Sequence, residues 1–325
     1  GRGAGRGRRP ALRKMLRYAL GRIGQMVPIA LLVTVLIFLL VKLLPGDPAS
    51  AILGDRATDA SVRALRHQWG LDRPIWEQYA VYMRNLATGN LGQSLRYETP
   101  VVSLLPRRTV VTFFLIMYSL ALSVLVAVPL AVVAAVYRNR WPDTIIRAFM
   151  ALPLASPAFW IGILLLIVFA LKLRWLPAEG YGDGFGDHLQ HLFLPALTLS
   201  YAFASVLSRN LRSSLIDVLT TTYVDFARAK GLRGRTVLFG HVLRAAMLPI
   251  VTLVGVRLSY AIGGSVVIET VFAIPGLGSL MVDSIFARDY VVVQTLTLVF
   301  ALGTMLINLT TDLIYPLFDP RVRVG

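Results

Sequence analysis

Long runs of apolar residues, separated by short polar stretches, dominate the chain. Six of these runs approach or exceed the length of about 20 residues that a helix needs to cross the hydrocarbon core of a bilayer. Pro153 and Pro157 lie inside the third run, and proline is tolerated in a bundle whose other helices satisfy the freed carbonyl groups. We therefore predict an all-α polytopic membrane protein with six transmembrane helices over 23–44, 109–137, 145–173, 191–208, 248–268 and 291–315.

The polar segment 45–108 separates the first two predicted spans. A cap at Thr58 or Asp59 predicts a helix that ends at Gly70, and Pro74 opens a second helix. The segment is too small for an enzyme. We interpret it as a small helical extracytoplasmic insertion that packs against the membrane domain.

Basic residues cluster in the short polar stretches. Residues 1–22 carry eight basic side chains and no acidic one, and residues 209–244 carry seven basic and two acidic ones. The positive-inside rule then places both termini in the cytoplasm, together with the loops 138–147 and 209–244. The basic tail 1–22 is predicted to be attracted to anionic membrane lipid.

Composition supports a membrane protein and excludes several other classes. The hydrophobic fraction is 56%, the charged fraction is 15% and the mean hydropathy is +0.67. The net charge of +16 sits in short loops, and the Arg-Gly stretch 1–10 has no aromatic residue to stack on bases, so we expect no nucleic-acid partner. The chain has no cysteine and no HExxH motif, so we expect no metal site. It also has no GxxxxGK[ST] motif, no nucleophile elbow and no paired catalytic carboxylates, which predicts a non-catalytic protein without a cofactor of its own.

The segment 223–249 is a charged island between the fourth and fifth predicted spans. Its run Ala227-Arg228-Ala229-Lys230-Gly231-Leu232, after Asp225, resembles the "EAA" loop of ABC importer permeases. Asp225 stands where that motif has Glu, and Phe226 stands where it has the first Ala. Gly231 occupies the position where a short helix needs its C-terminal stop.

Further stretches resemble the B-type permease subunit of dipeptide and oligopeptide (peptide/nickel) ABC importers. They are LPGDP at 44–48, GLDRPIWEQY at 70–79, GNLGQS at 89–94, ETVF at 269–272, IPGLG at 274–278 and DPR at 319–321. This resemblance implies the type I ABC importer permease fold, with a permease core over 109–318, a coupling loop at about 213–247 and a cytoplasmic tail at 319–325.

The resemblance also implies function and partners. The chain would form half of a translocation pathway for dipeptides or oligopeptides in the bacterial inner membrane, with haem or a nickel chelate as alternative substrates. Its partners would be a second homologous permease, two ABC ATPase subunits that bind ATP-Mg, and an extracytoplasmic substrate-binding protein. The ATPase-coupling residues would be Asp225, Ala227, Arg228, Ala229, Lys230, Gly231 and Leu232, with Ala227 and Ala229 allowing close approach and the two cations meeting acidic groups.

Four residues are candidates for the pathway or its gates. Arg257 lies near the middle of the fifth span, where a charge must avoid lipid. It either hydrogen-bonds helix carbonyls or a neighbour, or contacts a substrate carboxylate. Glu269 and Asp283, near the outer mouth with Phe272, either close an external gate or face water. Asp312 is the one ion-coupling candidate for the rival function, an ATP-independent secondary transporter, and a polar helix contact or snorkelling to the interface is favoured over ion coupling for it.

Overall fold

The structure is a computed structural model, and it describes residues 8–43, 58–68, 70 and 72–318. The family-like stretches at 44–48 and 319–321 lie outside the described residues.

The described chain is α-helical, as predicted, and it contains no β-strand. The principal helices are α1 (Arg8–Leu43), α2 (Asp59–Gln68), α3 (Ile75–Ala87), α4 (Val101–Val136), α5 (Trp141–Ala155), α6 (Ala158–Leu165, continued by a π-helical stretch Leu166–Lys172), α7 (Phe185–Leu219), α8 (Thr222–Ala229), α9 (Leu248–Val271), α10 (Leu277–Phe286) and α11 (Tyr290–Phe318). Three short helical pieces, Gly234–Thr236, Val237–Val242 and Leu243–Ala246, join α8 to α9.

Five helices, α1, α4, α7, α9 and α11, are each long and apolar enough to cross a membrane. The third predicted span differs from a single helix, because α5 and α6 are bent by 101° relative to each other at a short break. Ser156 at the break is extended, with φ −131° and ψ 142°, as the residue before a proline prefers. The six-span prediction holds when this bent pair counts as one span.

The predicted helices of the extracytoplasmic insertion are confirmed. The backbone N–H of Ser61 donates to Thr58 Oγ1 at 3.2 Å, and the backbone N–H of Thr58 donates to Ser61 Oγ at 3.0 Å, so Thr58 caps α2. In α3, Tyr79 packs edge-on against Phe38 of α1 with ring centroids 5.5 Å apart. The hydroxyls of Tyr79 and Thr34 lie 2.8 Å apart. The insertion therefore packs against the first span.

Asp289 joins the same insertion to the sixth span. Its carboxylate is buried and accepts hydrogen bonds from Ser94 Oγ at 2.6 Å, Leu95 N at 2.9 Å and Arg96 N at 3.2 Å. The loop that follows the GNLGQS stretch is thereby held at the start of α11.

A buried apolar cluster lies at the end of the bundle that carries α8. It combines side chains of α4, α7, α8, the 237–246 segment and α9, including Ala131, Leu211, Leu215, Val224, Ala227, Val242 and Ile250. Small alanines on α4 let α7 pack closely against it. This cluster gives α8 a rigid connection to the ends of three spans.

Candidate functional site

The helix α8 begins three residues after α7 ends, at the cytoplasmic end of the bundle. Its inward side chains, Val224 and Ala227, are 0% and 8% exposed and belong to the buried cluster described above. The expectation that Ala227 faces a partner is therefore wrong, because its small side chain serves the close contact between α8 and this chain's own bundle. Ala229 is exposed, as close approach to a partner requires.

Gly231 ends α8 in the way the sequence predicts. It adopts φ +76°, a left-handed conformation that favours glycine. Its N–H donates to Arg228 O at 2.9 Å, and the N–H of Leu232 donates to Ala227 O at 3.3 Å. This pair of bonds is a Schellman motif, and it turns the chain sharply away from the helix axis.

The outward side of α8 and of its terminal turn forms an exposed surface, which we name the coupling face: Phe226, Arg228, Ala229, Lys230 and Leu232. Phe226 is 69% exposed and Leu232 is 40% exposed, although both are apolar. This face therefore places apolar surface directly beside two cations. In the sequence, Phe226 is a departure from the EAA pattern, and its exposure was not predicted. An aromatic residue within the basic loop 209–244 is the sequence feature that could have indicated this surface.

One contact fastens α8, and another fastens α7, to the chain that leads into α9. The Tyr223 hydroxyl lies 2.6 Å from His241 Nδ1, and the two rings meet edge-on at 5.7 Å. Ser214 Oγ of α7 donates to Ala246 O at 3.1 Å. Through the buried cluster and the Tyr223–His241 contact, α8 is held to the ends of both the fourth and the fifth spans.

Arg257 lies near the middle of α9, and it is half-buried. Its buried Nε has no hydrogen-bond partner. The predicted alternative of a hydrogen bond to helix carbonyls is therefore not found for this atom. Two residues further along the same helix, Ser259 Oγ donates to Asn308 Oδ1 of α11 at 2.8 Å. The middle of α9 thus carries polar side chains on different sides of the helix, and the Arg257 guanidinium is the charged one.

Glu269 lies at the other end of α9 and is 0% exposed. Its carboxylate accepts Thr112 Oγ1 at 2.7 Å, Gly278 N at 2.7 Å and Ser279 N at 3.1 Å. The last two N–H groups belong to the first turn of α10, a position that favours a carboxylate. The alternative in which Glu269 faces water is contradicted by this burial.

The glycines of the IPGLG stretch make room for that carboxylate. A Cβ on Gly276 would lie 2.3 Å from Glu269 Oε2, and one on Gly278 would lie 2.5 Å from the Cα of Val266. Phe272 is also buried, at 1% exposed, whereas Asp283 is exposed on α10. The structure therefore brings Glu269 and Phe272 into one packed unit, and it leaves Asp283 outside that unit.

Asp312, near the inner end of α11, lies 3.4 Å from Arg22 Nε of α1. Of the two favoured roles, this ion pair supports the polar helix contact, since it joins the first and last spans.

Two family matches cover most of the chain. Residues 127–324 match the family described as "Binding-protein-dependent transport system inner membrane component". Residues 15–124 match "Binding-prot-dependent transport system membrane comp, N-term".

Relatives with similar sequences are named glutathione transport system permease protein GsiC. The protein of Escherichia coli O6:H1 is 41% identical over 309 residues, covering 95% of this chain and 99% of the relative. Those of Escherichia coli K12 and Salmonella choleraesuis are 40% and 42% identical over the same coverage. Among solved structures, a chain of the MetNI methionine ABC transporter superposes with a TM-score of 0.58 at 17% identity, covering 67% of this chain and 97% of that one, which shows a shared fold.

Proposed function

The chain belongs to the family of binding-protein-dependent transport system inner membrane components, and from this membership we propose that it carries half of an ATP-driven import pathway for short peptides. The resemblance to ABC importer permeases of the peptide type is confirmed. The protein is a multi-pass permease subunit of the bacterial inner membrane. The proposal adds the coupling residues, the partners and the substrate class.

The coupling face is the single observation that carries the ATPase part of the proposal. It presents an exposed aromatic side chain and two cations on a helix that is fixed to the fourth and fifth spans. Such a helix transmits a rigid displacement from a nucleotide-binding partner to the pathway. ATP-Mg is bound by two separate ATPase subunits, since this chain has no phosphate-binding loop. An extracytoplasmic binding protein delivers the substrate.

We expect Phe226→Ala to weaken ATPase association by at least about tenfold, the effect of losing an aromatic anchor from the centre of an interface. The measurement is co-purification of an ATPase subunit with the tagged permease, expressed together with the genes of its transporter. The matched control is Phe286→Ala, because Phe286 is 83% exposed at the far end of α10. Wild-type chain that co-purifies with no ATPase would contradict the proposal and favour an ATP-independent transporter.

A second permease is proposed to complete the pathway. Outward-facing residues of α9 at helical spacing, Val256, Tyr260 and Val267, are 46%, 69% and 47% exposed. This span therefore retains a face that its own bundle does not cover. A homologous chain against this face would enclose the other half of the pathway.

Arg257 supports a substrate with a free carboxylate. A half-buried guanidinium whose Nε has no partner is costly inside a span, and a substrate carboxylate in a wet cavity compensates that cost during transport. Short peptides carry such a carboxylate, and so does glutathione, the substrate named for the relatives. Haem or a nickel chelate is the alternative substrate class for the same architecture.

We expect Arg257→Gln to slow uptake of peptides with a free C-terminus by about tenfold or more, the loss expected for one charge-assisted hydrogen bond. Uptake of the same peptides with an amidated C-terminus should be nearly unchanged. The measurement is radiolabelled uptake into cells that express the complete transporter, and Arg257→Lys is the charge-preserving control. Equal losses for free and amidated peptides would indicate a structural role for Arg257.

A further inference from the structure

A cavity lined by basic residues, separate from the coupling face and from Arg257, lies between α5 and α7 at the cytoplasmic end of the bundle. Its volume is about 230 Å³. It is lined by Ile146, Arg147, Met150, Ser208, Arg209 and Arg212. Three arginines therefore share one small cavity beside two apolar side chains.

One acidic residue partly neutralises this cavity. Asp143 is fully buried and accepts two hydrogen bonds from Arg212, Nε to Oδ1 at 2.7 Å and Nη2 to Oδ2 at 2.6 Å. Arg147 Nε lies 3.4 Å from Asp143 Oδ1. Arg209 makes no ion pair with any described residue. Three positive charges thus face one negative charge, and the excess is concentrated on Arg209 and Arg147.

The outer side of α5 places the cavity at the membrane surface. Trp141, Ile145, Phe149 and Leu152 are all more than half exposed. Their spacing of four, four and three residues puts them on one helix face, which is the pattern of a lipid-facing stripe. Trp141 opens the helix, and tryptophan prefers the interface between hydrocarbon and water. The arginines next to this stripe therefore lie at the depth of the lipid phosphates.

We propose that this cavity binds the headgroup phosphate of an anionic phospholipid, such as phosphatidylglycerol. Arginine donates to phosphate oxygens in a forked geometry that suits the group better than a lysine point charge does. Arg209 and Arg147 hold the phosphate, Arg212 remains committed to Asp143, and Ile146 and Met150 contact the apolar part of the lipid. Basic cavities between membrane helices on the cytoplasmic side bind such headgroups in general.

The test measures lipid retained by the purified full-length chain. Native mass spectrometry after equilibration with dioleoylphosphatidylglycerol should show one retained molecule, and dioleoylphosphatidylcholine should not compete for the site. Arg209→Gln should weaken retention by about fivefold and Arg147→Gln with Arg209→Gln by about 25-fold, if each cation contributes independently. Arg209→Lys should recover part of the loss.

Arg138→Gln is the matched control, because Arg138 is an exposed cation on the same side of the membrane that does not line the cavity. It should leave retention unchanged. Inorganic phosphate at millimolar concentration distinguishes the source of the ligand, since displacement of the lipid by phosphate alone would show a site for a free anion and overturn the lipid assignment. Equal retention of both lipids, or equal effects of Arg209→Gln and Arg138→Gln, would also overturn it. A further measurement uses the complete transporter. If Arg209→Gln released the second permease from that complex and left lipid retention unchanged, the cavity would belong to the subunit interface and the lipid assignment would be overturned.

Discussion

Replacing Gly231 by Trp is expected to leave the protein in the membrane and to abolish substrate-stimulated ATP hydrolysis by the complete transporter. Gly231 has φ +76°, and a Cβ at this position would meet no atom within 4 Å. The indole therefore has space within this chain, and the strain of a left-handed L-residue, about 1–2 kcal/mol, is small compared with the stability of the bundle. The added bulk projects from the turn that borders the coupling face, so the loss falls on contact with the ATPase.

Two variants separate bulk from strain at this turn. Gly231→Asn keeps a residue that tolerates the left-handed conformation, and it should retain most of the coupled turnover. Gly89→Trp is the control for bulk and strain together, because Gly89 has φ +74° and equally open surroundings on the extracytoplasmic side. The Gly89→Trp permease should still co-purify with the ATPase. Normal substrate-stimulated turnover in Gly231→Trp would refute the assignment of the coupling face.

The sequence is sufficient to predict features that depend on local pattern. The apolar runs predict the spans, Thr58 predicts the start of α2, and Gly231 predicts the end of α8, because each depends on residues close together in the chain. The same holds for the family resemblance, which rests on short contiguous stretches.

The features that sequence reasoning missed depend on contacts between distant residues. The neighbouring helices decide whether Pro157 is accommodated within a continuous helix or interrupts the span. Here the two helices of the span are bent by 101° relative to each other. The ion pair of Asp143 with Arg212 joins residues 69 positions apart, so the basic cavity has no local signature. Ala227 fits a partner-facing motif equally well by sequence, and only the packing of α8 shows that it points inward.

Glu269 shows the same limitation, because its location near the outer mouth suggested a gate or a solvated carboxylate. The structure surrounds it with three donors, and two of them come from a helix that begins eight residues later. Thr112 also accepts from Leu277 N at 2.9 Å. The carboxylate and this hydroxyl together satisfy the N-terminus of α10, so Glu269 fixes the turn between the fifth and sixth spans.

We therefore expect Glu269→Ala to destabilise the protein by about 3–5 kcal/mol, since it leaves buried donors without an acceptor. In thermal unfolding of the detergent-solubilised chain, this loss should lower the Tm by about 10 °C. Glu269→Gln should cost less, because the amide retains one acceptor oxygen. Asp283→Ala is the matched control: this carboxylate is exposed on the helix that Glu269 caps, and its removal should change stability by less than about 0.5 kcal/mol. A gate residue would behave differently, because Glu269→Ala would then keep its Tm while raising ATP hydrolysis without substrate. Unchanged unfolding together with uncoupled turnover would thus assign Glu269 to the external gate.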